Sequence, residues 1–105
     1  MMLLGQNSTN TVIYGKKNKD VVTILSSKTT IEKFTITSSD LIKSRSGIKV
    51  KANLVSIYNC IIKNNVGDGI YLYAGTMILN CKIIYNDGRG VYSFEGGGNS
   101  INETI

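Results

Sequence analysis

The sequence contains no histidine and no proline, and it has only 2 cysteines and 2 alanines. The lack of histidine excludes a histidine general base and the familiar Cys/His zinc patterns. The scarcity of alanine argues against helix. No apolar run approaches the roughly 20 residues that a transmembrane helix needs, so the sequence predicts no membrane span.

Strand and turn formers dominate the 105 residues instead. There are 15 isoleucines, 11 asparagines, 11 glycines, 10 serines and 9 threonines. Isoleucine and threonine favour strands, whereas asparagine and glycine favour tight turns. The composition therefore predicts an all-β protein of many short strands, forming one domain or a piece of a larger one.

The net charge of +5 comes almost wholly from lysine, with 10 lysines and 2 arginines. A nucleic-acid-binding protein normally clusters its charge on one face and uses arginine for bidentate contacts. Here the lysines are scattered, apart from Lys16, Lys17 and Lys19, which we interpret as part of a solvated loop. We therefore predict no nucleic-acid partner.

A repeat of 21 to 22 residues runs through the chain. Three glycine-led segments begin at Gly47, Gly69 and Gly90. Five further pairs recur at an interval of 21 residues, namely Ile57/Ile78, Asn59/Asn80, Cys60/Cys81, Ile62/Ile83 and Asn65/Asn86. A weaker echo lies upstream, between residues 22 and 36. Such self-similarity is typical of a repeat architecture.

Three strands of three to four residues in each repeat predict a β-solenoid. Alternate side chains of each strand point inward, and parallel rungs stack them about 4.8 Å apart into apolar ladders. One rung cannot bury its apolar face alone, so neighbouring rungs must close the core. We predict about four rungs in a single domain. Residues 1–20 are an incomplete first rung or cap, and the rungs are residues 21–46, 47–68, 69–89 and an incomplete 90–105.

The repeats resemble those of right-handed parallel β-helices, the pectate-lyase-like fold. The resemblance rests on residues 21–24, 30–36 and 69–72 and on the Asn-Cys turns, and it covers roughly residues 11–105. The pattern is similar to the periplasmic copper-binding β-helix family and to adhesin-like surface proteins of archaea and bacteria. It implies an extracellular or cell-surface location, although no signal peptide is visible in this chain. The superfamily contains lyases, hydrolases, tailspikes, adhesins and scaffolds, so the fold does not determine the function.

Two asparagine columns are predicted at the turns. Asn59, Asn80 and Asn102 belong to one turn of successive rungs, and Asn65 and Asn86 belong to another. Stacked asparagine amides can hydrogen-bond along the axis, and asparagine tolerates left-handed backbone. We interpret both columns as structural.

Cys60 and Cys81 lie one rung apart and are predicted to point inward. The spacing of about 4.8 Å between strands is within the range for a disulfide, but parallel side chains in register make its torsion awkward. We favour two buried free thiols, with a disulfide as the alternative. Two thiols without a further ligand leave a metal unsatisfied, so we predict no metal site and no cofactor. We therefore do not expect this chain to bind copper as the similar family does.

Asp68 and Asp87 are weak catalytic candidates. Polysaccharide hydrolysis needs two carboxyl groups about 5–9.5 Å apart, and these residues lie in successive turns. Asp68, however, is expected to stack against Arg89, and a surface ion pair explains it more simply. The resemblance implies clustered acidic calcium ligands in a lyase, or paired aspartates with Gly-His-Gly in a pectin hydrolase. Neither pattern is present, so we favour a non-enzymatic protein.

Exposed aromatic residues are the strongest sign of a binding function. If Ile70 and Leu72 point inward, their neighbours in the same strand point outward. One sheet face then carries two columns, Lys49-Tyr71-Tyr92 and Lys51-Tyr73-Phe94. Such rings suit contact with a sugar or with another protein, and they also stabilise parallel strands without any partner.

The sequence thus predicts a non-enzymatic surface or scaffold module that binds a glycan or a protein through this face. The alternative is a carbohydrate-active β-helix enzyme, a polysaccharide lyase or hydrolase, or a fragment of one. The last rung has no evident polar cap, and open rungs expose unpaired backbone groups. We therefore expect either a longer solenoid or a second copy stacked end to end or side by side.

Overall fold

The structure is a computed structural model that describes residues 2–38, 45–97 and 100–103. These residues form twelve strands and no helix, so none of them belongs to a helix long and apolar enough to cross a membrane. The strands are β1 (Met2–Leu4), β2 (Val12–Tyr14), β3 (Val22–Ile24), β4 (Thr30–Glu32), β5 (Thr35–Thr37), β6 (Ile48–Val50), β7 (Val55–Tyr58), β8 (Ile61–Lys63), β9 (Ile70–Ala74), β10 (Thr76–Ile84), β11 (Val91–Gly97) and β12 (Ser100–Glu103).

The strands stack on three faces of a solenoid. Sheet 1 contains β1, β4, β7, the beginning of β10, and β12, whereas sheet 2 contains β2, β5, β8 and the end of β10. Sheet 3 contains β3, β6, β9 and β11. Each pairing in the described part of the chain is parallel. The predicted all-β parallel solenoid is confirmed, and the four strands of sheet 3 agree with about four rungs.

The register of the sheets follows the repeat read from the sequence. Ile48 pairs with Ile70, which pairs with Val91, and Ile57 pairs with Ile78. Their inward side chains form the ladders of the core, where each fully buried isoleucine contributes about 1.5–3 kcal/mol. The apolar residues with 0% exposure are Ile36, Ile48, Val50, Ile57, Ile62, Ile70, Leu72, Ile78 and Cys81.

Close stacking at the start of sheet 3 explains the glycine-led segments. Gly47 N donates to Asp68 O at 3.0 Å, and Gly69 N donates to Arg89 O at 2.9 Å. A Cβ atom built on Gly47 would lie 2.7 Å from Gly69 O, which is closer than real contacts allow. The repeat therefore needs glycine here so that successive rungs can approach each other.

The corners between sheets contain residues with left-handed backbone. At the corner before sheet 1, Lys28, Leu54 and Gly75 have φ angles of 60°, 57° and 65°. Asparagine and glycine adopt this conformation readily, whereas other L-residues lose about 1–2 kcal/mol in it. Leu54 is therefore strained at a position where the next rung has glycine.

The predicted position of Asn102 is wrong by one residue. Strand β12 pairs Ile101 with Ile78 and Asn102 with Leu79, so Asn102 does not lie opposite Asn80. The rung that ends at Ile101 is longer than the one before it, and Asn102 therefore falls one position short of the asparagine column. The side chain of Asn102 lies outside the described residues.

Candidate functional site

The first predicted column is present on the outer face of sheet 3. The register pairs Lys49 with Tyr71 and Tyr71 with Tyr92. The two tyrosine ring centroids lie 5.0 Å apart with a 53° angle between the ring planes, and Lys49 Nζ lies 5.2 Å from the Tyr71 centroid. All three side chains are half-buried against one another. The alternation that predicted these outward positions is confirmed, because Ile70 and Leu72 are fully buried.

Arg89 closes the other end of this column. Its Cζ atom lies 3.6 Å from the Tyr92 ring centroid, and its Nε lies 3.5 Å from Asp68 Oδ1. Its backbone N–H donates to the same oxygen at 2.8 Å. The predicted contact of Asp68 with Arg89 is confirmed. The stacking of Arg89 on Tyr92 was missed, and its only sequence signal is that Arg89 lies just before β11 and Tyr92 lies near the start of that strand.

We call Lys49, Tyr71, Tyr92 and Arg89 the aromatic–cationic column. An aromatic pair contributes about 0.5–1.5 kcal/mol, and each exposed cation–π contact contributes about 0.5–1 kcal/mol. The Arg89 side chain is 64% exposed, so its ion pair with Asp68 adds only about 0–1 kcal/mol. Together these contacts hold two cationic groups at opposite ends of a tyrosine pair. The terminal nitrogens of Arg89 make no hydrogen bond or ion pair with the described residues.

The second predicted column is interrupted. In β11, Ser93 pairs with Leu72 and the next paired residue is Gly97, opposite Ala74. Tyr73 therefore does not pair one to one with Phe94, because β11 has extra residues at this point. The side chains of Tyr73 and Phe94 lie outside the described residues. Lys51 is exposed just after β6, and its backbone N–H donates to Ile24 O at 2.8 Å.

The two cysteines are buried thiols that form no disulfide, as predicted. Cys60 Sγ lies 3.2 Å from Tyr58 O, and Cys81 Sγ lies 3.5 Å from Ile57 O and from Leu79 O. A hydrogen bond with the Cys81 thiol, and secondly burial, raise the pKa of the Cys60 thiol far above its ordinary range. A protonated, buried thiol is a poor nucleophile and a poor metal ligand. The described residues contain no group of three or more His, Cys, Asp or Glu side chains that could hold a metal ion.

Both asparagine columns stack as predicted within the described rungs. Asn80 Nδ2 donates to Asn59 Oδ1 at 2.7 Å, and both residues have left-handed backbone, with φ angles of 56° and 53°. Asn65 Nδ2 donates to Asn86 Oδ1 at 2.9 Å, and Asn86 Nδ2 donates to Ile62 O at 3.1 Å. These amides connect neighbouring rungs.

Asp68 and Asp87 take different positions in their turns. The Asp68 carboxylate is only 14% exposed and faces the backbone and guanidinium of Arg89. Asp87 is exposed, and its backbone N–H donates to Asn65 O at 2.9 Å. Asp87 thus stacks over the beginning of the preceding turn, whereas Asp68 stacks under Arg89. This arrangement explains Asp68 without a catalytic role.

The parallel strands that stack on three faces define the chain as a β-solenoid protein. The chain matches the family described as "right handed beta helix region" over residues 6–105, and it belongs to that family. It matches no curated protein and no solved structure. Because the family defines a fold, the function has to be argued from the surface of this chain.

Proposed function

We propose that this protein is a non-enzymatic β-helix module that binds an acidic glycan through the aromatic–cationic column. The observation that carries the proposal is the pair of cationic groups, Lys49 and Arg89, held at opposite ends of two stacked tyrosine rings. Tyrosine rings offer apolar faces with polar edges that suit sugar rings. Lysine and arginine provide the donors that bind carboxylate or sulfate groups.

Arg89 favours an acidic sugar chain over a neutral one. Its guanidinium covers one face of the Tyr92 ring at 3.6 Å, so a neutral sugar cannot stack there without displacing it. Asp68 fixes the guanidinium through Nε and leaves the two terminal nitrogens for a ligand. A planar guanidinium with two available nitrogens matches a carboxylate or sulfate in bidentate geometry. The net charge of +5 also favours the approach of a polyanion.

The narrowness of the face favours a glycan over a protein. A stable protein interface buries about 800 Å² on each partner and has an apolar centre. Most of the exposed large apolar side chains of the described residues, such as Met2, Leu4 and Tyr14, belong to other sheets, and only Leu25 directly follows a strand of sheet 3. The aromatic–cationic column is one residue wide and half-buried, which suits a linear sugar chain.

Binding to soluble polysaccharides of known charge tests the proposal. We expect the wild-type chain to bind heparin and polygalacturonate in affinity electrophoresis or calorimetry, and dextran much more weakly. The double variant Tyr71→Ala/Tyr92→Ala should lose about tenfold or more in affinity, because two stacking contacts and the seat of Arg89 are removed. Tyr14→Ala changes an exposed tyrosine of sheet 2 and serves as the matched control.

Unchanged affinity of the double variant would refute the column as the binding site. Equal binding of dextran and polygalacturonate would refute the role of charge. Failure to bind any of the three polysaccharides would reject the glycan proposal. Shortening of the polymer during incubation would instead favour the alternative of a carbohydrate-active enzyme.

A further inference from the structure

The first rung turns the corner between sheets 1 and 2 differently from the later rungs. Seven residues, 5–11, connect β1 to β2. Only two residues make the same corner in each of the next two rungs, namely Lys33-Phe34 and Asn59-Cys60. Two residues are enough to connect sheets 1 and 2, so the five additional residues of the first loop are not needed to form the solenoid.

Hydrogen bonds fix this loop in one conformation. Asn7 Oδ1 accepts from Thr9 N at 2.9 Å, and Asn7 O accepts from Thr11 N at 2.8 Å. The next rung holds the loop from below, because Thr35 Oγ1 donates to Ser8 O and Thr35 N donates to Thr11 O at 2.9 Å. The loop is therefore a preformed wall that overhangs the corner.

A cleft of about 250 Å³ lies between this wall and the corners of two later rungs. It is lined by Ser8 and Thr9 from the loop and by Asn59, Cys60, Ile61, Asn80 and Lys82 from the rungs. Pockets for drug-sized ligands are usually about 300–1,000 Å³, so this cleft suits a smaller molecule. It is separate from the aromatic–cationic column, which lies on sheet 3.

The cleft contains one positively charged side chain and polar atoms that are available to hydrogen-bond a ligand. Among the described residues, Lys82 is the only charged one that lines the cleft, and its ammonium makes no ion pair with any of them. The nearby Glu32 carboxylate accepts from Asn59 Nδ2 at 3.3 Å. Ser8 Oγ and Asn80 Oδ1 have no hydrogen-bond partner among the described residues.

We propose that this cleft binds a small carboxylate that also carries hydroxyl groups. The carboxylate pairs with Lys82, and the hydroxyl groups donate to Asn80 Oδ1 and exchange hydrogen bonds with Ser8. One ion pair and a few hydrogen bonds in an open cleft correspond to a millimolar dissociation constant, because each is partly offset by the loss of water. The site is independent of glycan binding on sheet 3.

Gluconate is the probe of choice, with sorbitol and acetate as matched controls. Sorbitol retains the hydroxyl groups without the carboxylate, and acetate retains the carboxylate without the hydroxyl groups. Titration of the isotope-labelled chain at low salt, followed by amide chemical shifts, should show saturable changes at Thr9, Ile61 and Lys82 with gluconate. We expect sorbitol and acetate to bind at least about fivefold more weakly, because each lacks one of the two interactions.

Charge-removing variants identify the site. Lys82→Gln retains most of the side-chain length and should weaken gluconate binding about fivefold or more, and Ser8→Ala should weaken it about twofold. Lys63→Gln removes a lysine of the same sheet that does not line the cleft, and it should leave binding unchanged. An unchanged dissociation constant in Lys82→Gln, equal binding of sorbitol and gluconate, or no localised shift at tens of millimolar gluconate would each overturn the proposal. The amide spectrum of each variant shows directly whether it is folded.

Discussion

The two asparagine columns contain the same residue at the same interval, yet they lie in opposite environments. Asn65 is 1% exposed and bonds to Asn86 inside the turn, where Asn86 also satisfies the carbonyl of Ile62. Asn59 and Asn80 bond to each other at the surface. Water can replace the outer amides, whereas no water reaches the buried Asn65 side chain. Periodicity therefore identifies both columns, but burial determines how much each contributes to stability.

Truncation of the buried column should have the largest effect. Asn65→Ala removes the buried side-chain donor to Ile36 O and to Asn86 Oδ1, which keeps only the backbone N–H of residue 65. The free energy of unfolding should fall by about 2 kcal/mol, because two buried hydrogen bonds are lost. The matched variant Asn59→Gly removes the outer amide but keeps a residue that adopts left-handed backbone, so it should cost less than about 1 kcal/mol. Urea titrations followed by circular dichroism measure both. Equal losses in the two variants would mean that burial does not distinguish the columns.

The buried cysteines Cys60 and Cys81 directly follow the exposed asparagines Asn59 and Asn80, and they offer a second comparison. The raised pKa of Cys60 means that the folded state keeps a proton that the unfolded state loses above its ordinary pKa of 9.0. Stability should therefore be unaffected by this group below that pH and should fall above it, by about 1.4 kcal/mol for each pH unit. Thermal unfolding measured across the alkaline range tests this dependence. The variant Cys60→Ala/Cys81→Ala should show a shallower decline, and an identical slope would show that other groups cause it.

The corner before sheet 1 separates the backbone contribution of asparagine from that of its amide. Leu54 and Gly75 both have left-handed backbone in adjacent rungs, without an amide ladder. Leu54→Gly should raise the free energy of unfolding by about 1 kcal/mol. The Leu54 side chain is exposed, so the substitution removes little packing and relieves the backbone strain of the left-handed conformation. Gly75→Ala should lower it by about 1 kcal/mol, since its new Cβ would also lie 3.2 Å from Leu54 N. Chemical denaturation measures the free energy of unfolding of both variants. Changes of the same sign in Leu54→Gly and Gly75→Ala would contradict this explanation.

The sequence was most informative where the chain repeats. The inward positions of Ile48 and Ile70 and the stacking of Tyr71 on Tyr92 follow from strand alternation and the interval between rungs. The contact of Arg89 with Tyr92 was not predictable, because a long side chain that leaves a turn has several rotamers and no repeating partner. The pairing of Phe94 was wrongly predicted because extra residues in β11 break the interval.

The overhanging loop that forms the cleft was also missed. Residues 5–11 have no counterpart in the later rungs, so the repeat contains no information about where they lie. Their position depends on contacts with Thr35, a residue of the next rung that the strand pattern assigned to the solenoid itself. Non-repeating segments of a solenoid thus need a structure before their function can be inferred.

The parallel stacking of the strands also has a mechanical consequence. The backbone hydrogen bonds between rungs point along the axis of the solenoid, for example from Ile48 N to Gly69 O and from Ile70 N to Gly90 O. Tension along this axis would load the bonds of one rung boundary at a time, because each rung contacts only its neighbours. The chain would then peel apart rung by rung at low force. Tension across the axis would load several strands in shear at once and would meet a much higher resistance.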